Sequence, residues 1–137
     1  MRHALIGMAA GLRVPLVMHG KRLERLLDPP SETEIATGHA LAARRDPSQF
    51  VPSEALRWSR RVVSRLALIP LSPWRNTCLY RSAAECLVLR RYGIPAVLRI
   101  GVRSEDGGEI AAHAWVVGRD GIPEPTGYAT MDPSRGT

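Results

Sequence analysis

The stretch Asn76-Thr77-Cys78-Leu79-Tyr80-Arg81-Ser82 decides how the rest of the chain is read. It comes after a break marked by Pro70 and Pro73 and opens a helical pattern that runs to Arg91. Cys78 therefore falls at or near the first turn of a helix. That end of a helix carries partial positive charge and N–H groups without intrahelical acceptors. Both favour a thiolate over a thiol, and the thiolate is the nucleophile. Along the pattern, Leu79, Ala83, Cys86, Leu87 and Arg90 recur at intervals of three and four, which aligns them on one side. Cys86 on that stripe reads as a small buried hydrophobe. Cys78 lies off it, beside Arg81, Ser82 and Glu85. Gly93, with Pro95 just beyond, stops the helix.

Downstream the period changes from helix to strand. Residues 96–103 have the β-branched content of a strand, Asp106-Gly107-Gly108 is a turn, and residues 109–117 form a second strand with His113 near its start. Asp120-Gly121 is a strong hairpin signal. Residues 122–131 then read as a third strand, interrupted by proline and so expected at a sheet edge. The expectation is an antiparallel meander.

Upstream the chain is helical. Residues 1–27 read as one or two short helices broken near Pro15 and Gly20, with Leu23, Leu26 and Leu27 on one face. Ser31, with Glu34 three residues on, is a capping box that opens a helix from about 32 to 45. Ile35, His39, Leu41 and Ala42 are its candidate buried positions. Pro52 and Ser53 open another helix, with Leu56, Trp58, Val62, Val63, Leu66 and Leu68 as its apolar stripe and Arg57, Arg60, Arg61 and Arg65 opposite. The order predicts a single α+β domain spanning residues 1–137: a helical region over 1–52, then a core over 53–137 that holds the cysteine helix and the strands.

Composition narrows the classes. At 137 residues and 45% apolar content the chain can bury one core and is not disordered by composition. The net charge is +6, and Lys21 is the only lysine. Arginine recognises carboxylate and phosphate in a planar, two-pronged way, so a basic face could meet an acidic partner. Aromatic residues are too sparse among these arginines to favour nucleic acid. The two cysteines stand eight residues apart, about 12 Å along a helix and beyond disulfide reach. They read as reduced thiols in a cytoplasmic protein. No Cys/His spacing of the zinc-site kind is present, and no cofactor is expected. Met1-Arg2-His3 and the apolar residues after it faintly resemble a signal peptide, but Arg13 interrupts them. No apolar run approaches the roughly 18–20 residues that span a bilayer.

Cys78 and His113 together suggest thiol catalysis. The imidazole would keep the thiol deprotonated and later protonate the leaving group. A third polar group would orient the ring. Glu124 on the returning strand is the favoured acid, then Asp120, with Asp132 beyond. The backbone N–H of Cys78 is a natural oxyanion donor, aided by the side chain of Asn76 or the indole of Trp74.

In chain order, Cys78-Leu79-Tyr80-Arg81-Ser82, Leu89-Arg90-Arg91-Tyr92-Gly93-Ile94-Pro95-Ala96, Ile100-Gly101-Val102-Arg103 and Ala112-His113-Ala114-Trp115-Val116 resemble the transglutaminase-like leader peptidases of lasso-peptide biosynthesis. The resemblance covers roughly residues 55–125 and is looser before that. It implies a papain/transglutaminase-like core with a Cys–His–acid triad, in which Cys78 and His113 match the nucleophile and base. It also implies removal of the leader from a ribosomally made precursor peptide. The expected partners are that precursor, a separate leader-recognition protein and a lasso cyclase, with this chain as the stand-alone peptidase half. Around Glu124 the spacing departs from the family's acid.

Overall fold

The computed structural model describes residues 1–19, 22–42, 53–75, 77–117 and 125–130. Five helices precede a three-stranded sheet: α1 (Arg2–Met18), α2 (Arg22–Leu27), α3 (Glu32–Ala42), α4 (Ser53–Leu66), α5 (Cys78–Arg91), β1 (Val97–Ser104), β2 (Ile110–Val117) and β3 (Ala129–Thr130). This is the expected α+β order. Asn76, Asp120, Glu124 and Asp132 lie outside the described residues, as do the side chains of His39, Leu41 and Ala42.

Helix α5 is the hub. Ala83, Ala84, Cys86, Val88 and Leu89 are all fully buried, a wider face than the predicted stripe because helices cover one flank and the sheet another. Val14 and Val17 of α1, Val63 of α4, Leu98 of β1 and Ala114 and Val116 of β2 join Ala83, Cys86 and Leu89 in one core. A second cluster places Leu56 with Val88 and Tyr92. Arg90, expected on the buried side, is a fastener. Its guanidinium donates to the carbonyls of Arg25 (2.6 Å), Leu26 (3.3 Å) and Asp28 at the end of α2, and its Nε to Ala96 at 2.8 Å. One side chain thus satisfies the free carbonyls of a short helix and ties them to the start of β1.

Helix α1 does not break at Pro15 as expected; it runs on to Met18 with that proline inside it. A proline removes the N–H that would bond the carbonyl four residues back, here that of Gly11. Trp74 supplies the missing donor, its indole N–H reaching the Gly11 oxygen at 3.0 Å. Gly7 and Gly11 let α1 lie tightly along α4. A Cβ on Gly7 would stand 2.1 Å from the Ala55 carbonyl oxygen, and one on Gly11 2.9 Å from Val62. The capping box forms as predicted: the Ser31 N–H donates to Glu34 Oε2 at 2.9 Å and the Glu34 N–H to Ser31 Oγ at 3.3 Å. Helix α4 stops at Leu66, and Leu68 beyond it is exposed rather than part of the stripe.

The sheet is not a meander. Its order is β2-β1-β3, all antiparallel, so the third strand crosses to the far side of β1. On the other side of the sheet order, β2 is tied to α5: the Ser82 hydroxyl donates to the Ala114 carbonyl at 2.9 Å.

Candidate functional site

Cys78 is the first residue of α5. Thr77 caps the helix in an extended conformation, its hydroxyl accepting from the Tyr80 N–H at 3.4 Å. The Arg81 N–H bonds the Thr77 carbonyl. The N–H groups of Cys78 and Leu79 then have no intrahelical acceptor and face out of the helix end. The segment leading to the thiol is braced. Ser72 Oγ donates to Leu66 O at 2.7 Å, Arg75 Nη1 to Ser72 O at 2.8 Å, and the Tyr80 hydroxyl to Pro73 O at 3.1 Å. Trp74, a sequence candidate for the oxyanion site, has its indole N–H committed to Gly11 and is not free for that role.

The thiol itself is half-buried and packs against the main core. Cys86, two turns on, is fully buried, with its sulfur 3.5 Å from the Ala96 carbonyl. Burial pushes the Cys86 thiol up to about 11, against the opposing pull of Arg90. It stays protonated at neutral pH and carries no nucleophilic character. Both cysteines are free.

His113 lies in the middle of β2 rather than at its start. Strand alternation sends Ala114 and Val116 toward α5 and His113 and Trp115 to the opposite face. There His113 stacks on Trp115, with ring centroids 6.1 Å apart, and leans on Tyr128 at 5.6 Å. Gly101 is directly opposite His113 on β1, and Thr130 opposite Gly101 on β3. A Cβ on Gly101 would meet Trp115 at 2.7 Å and Tyr128 at 2.9 Å, so a glycine is what lets the two rings close over the strand. Arg103 lies 4.9 Å over the Tyr128 ring. The indole N–H of Trp115 is buried and has no hydrogen-bond partner among the described residues, a leftover donor beside the imidazole.

Ser82 joins the two elements that carry the sequence candidates. It stands one turn after Cys78 on the same side of α5, and its bond partner Ala114 adjoins His113. The thiol and the imidazole thus belong to two elements joined by this bond. Among the described residues no hydrogen bond joins them directly. Sequence reasoning names Cys78 and His113 but passes over Ser82, Trp115 and Tyr128. The turn at Asp106-Gly107-Gly108 sets the β1–β2 register and so pairs Gly101 with His113. Tyr128 carries no such signal, because it arrives from the other side of β1.

Among the described residues no group of three or more His, Cys, Asp or Glu is arranged to hold a metal ion, and no helix is long and apolar enough to cross a membrane.

The profile of the transglutaminase-like superfamily matches residues 10–133, from within α1 to beyond β3. No curated protein and no solved structure matches the chain. The matched span takes in the helices as well as the residues around Cys78 and His113. With the capped thiol helix packed on a small antiparallel sheet, it shows that the chain belongs to the transglutaminase-like superfamily, a fold typical of thiol proteases and acyltransferases.

Proposed function

We propose that the protein is a cysteine peptidase that removes the leader from a ribosomally made lasso precursor peptide. The observation that carries this reading is Cys78 at the capped N-terminus of α5, clamped through Ser82 to the strand that bears His113. The Cys78 thiolate attacks the carbonyl at the leader–core junction. The tetrahedral oxyanion is held by the outward N–H of Cys78, with the Asn76 amide as second donor. Collapse breaks the C–N bond, and His113 protonates the departing amine of the core peptide. Water then attacks the thioester, His113 taking its proton, and the leader leaves as a carboxylate. Glu124 orients the imidazole in this scheme, with Asp120 as the alternative. The unpaired Trp115 N–H is a donor available to a carboxylate beside the ring. In unliganded enzymes the nucleophile–base contact is often long and tightens with substrate. A separate leader-recognition protein presents the substrate, a lasso cyclase consumes the product, and the reaction is cytoplasmic.

The test is leader removal from the precursor with the recognition protein supplied. Cys78→Ala and His113→Ala are each expected to lower kcat by about 10³-fold or more while the fold is kept. Full cleavage by either variant overturns the assignment. Glu124→Gln against Asp120→Asn identifies the acid by the larger loss.

The superfamily match equally favours transfer of the acyl group to an amine. Product mass separates the readings: hydrolysis yields a free carboxylate on the leader, and transfer yields an amide.

A further inference from the structure

The face of α4 beside α5 bears a shallow groove of about 500 Å³ lined by Arg57, Arg60, Arg61, Arg65 and Leu56. No residue of the thiol site takes part in it. Arg57, Arg61 and Arg65 succeed one another at single-turn intervals, about 6 Å apart. Alternate side chains of an extended peptide, which point the same way, are spaced about 6.7 Å apart. Arg60 already shows the chemistry of the groove: it donates to Glu85 on α5 at 3.1 Å. Arg61 is stiffened by lying 5.3 Å over the Trp58 ring, which lowers the entropy lost when it binds.

The groove also has a direction. Leu56 shares a cluster with Val88 and Tyr92, and Arg60 meets Glu85. Residue numbers rise along α4 as they fall along α5, so the two helices run antiparallel and the Arg65 end of the groove points toward Cys78. Glu85 is seven residues from Cys78, about 10 Å along the helix axis, or three to four residues of extended chain.

We infer that this groove binds an acidic segment of the peptide on which Cys78 acts, holding carboxylates on Arg57, Arg61 and Arg65 while the chain runs on toward the thiol. The inference rests on the peptidase reading for the fate of the peptide beyond its acidic segment, and on α4 alone for the binding. Sparse aromatic residues along the stripe favour a peptide over nucleic acid, whose bases need stacking surfaces.

The binding test uses full-length Cys78→Ala protein and a fluorescein-labelled hexaglutamate peptide, read by anisotropy. Saturable binding that weakens with added salt is expected, with no binding of a hexalysine control. Reversing all three charges (Arg57→Glu, Arg61→Glu and Arg65→Glu together) weakens it about tenfold or more. Arg61→Gln alone, which adds no repulsion, weakens it about threefold. Unchanged affinity in both variants, or tighter binding of a short DNA duplex than of the peptide, overturns the inference. In the active protein, Arg61→Gln raises KM for a substrate carrying an acidic segment and leaves kcat alone; a fall in kcat with unchanged KM counts against it. Binding is read on a protein that cannot cleave. A precursor that binds through these arginines but is never cut by the native chain, with the recognition protein supplied, therefore sinks the peptidase reading and leaves the groove standing.

Discussion

Cys78 and Cys86 sit two turns apart on one helix and occupy different media. Cys78 is at the capped end, half-buried, with the positive end of the helix dipole behind it and the main core beside it. Cys86 is at the middle of α5, fully buried among Ala83, Leu89 and Leu98, with its proton held by desolvation. The same side chain on the same helix is a candidate nucleophile in one place and packing material in the other. What differs is the solvation of its charged form, not its chemistry.

The contrast is most sharply tested by chemical modification. Iodoacetamide at neutral pH is expected to alkylate Cys78 at least about 100-fold faster than Cys86, since a buried protonated thiol reacts only when the core opens. Peptide mass mapping over time measures it, and equal rates would erase the distinction.

A smaller effect is expected at alkaline pH. Folded Cys86 keeps its proton until about pH 11, whereas in the unfolded chain it would lose it near 9.0. Between those values the unfolded state binds fewer protons, so stability falls as pH rises. The loss is absent below the lower value and amounts to about 2–3 kcal/mol by the upper one. Burial also raises Tyr92, which adds a loss of the same sign above its ordinary value of 10.0. Urea midpoints tracked across this range should decline less in Cys86→Ala than in the native chain. A Cys86→Ala slope identical to the native one would remove the assigned cause.

Exchanging each sulfur for oxygen separates the two positions again. Cys86→Ser places a more polar hydroxyl in the core and is expected to cost about 1–2 kcal/mol of stability with little change in activity. Cys78→Ser should change stability by less than about 0.5 kcal/mol while activity collapses. The reverse pattern would exchange the roles.

The smallest expected change is at the clamp. Ser82→Ala removes one hydrogen bond between α5 and β2, worth about 1 kcal/mol. Because that bond ties the thiol helix to the strand of His113, kcat should fall while KM holds. Ser82→Thr, which keeps the hydroxyl, should restore much of the loss. A stability change with kcat untouched would make Ser82 a simple packing contact.

Local signals suffice where one short stretch settles the matter. The capping box at Ser31 and Glu34, the start of α5 at Thr77-Cys78 and the turn at Asp106-Gly107-Gly108 each depend on residues within a few positions of one another. They mislead where a distant group intervenes. Pro15 predicts a break, yet α1 continues because Trp74, 59 positions later, satisfies the carbonyl that the proline orphans. Asp120-Gly121 predicts a hairpin, yet β3 pairs with β1, on the far side of the strand that β2 pairs with.

For the stretch around Cys78, the sequence by itself determined that this cysteine begins a helix and that Cys86 is buried within it. Capping and periodicity are local, so they are written in neighbouring residues. Only the tertiary structure decided that Ser82 reaches Ala114, that His113 shares a face with Trp115 and Tyr128 over Gly101, and that Arg60 of α4 meets Glu85 of α5. Those facts depend on how separate elements pack, and packing is set by the shape of the whole core rather than by any one segment.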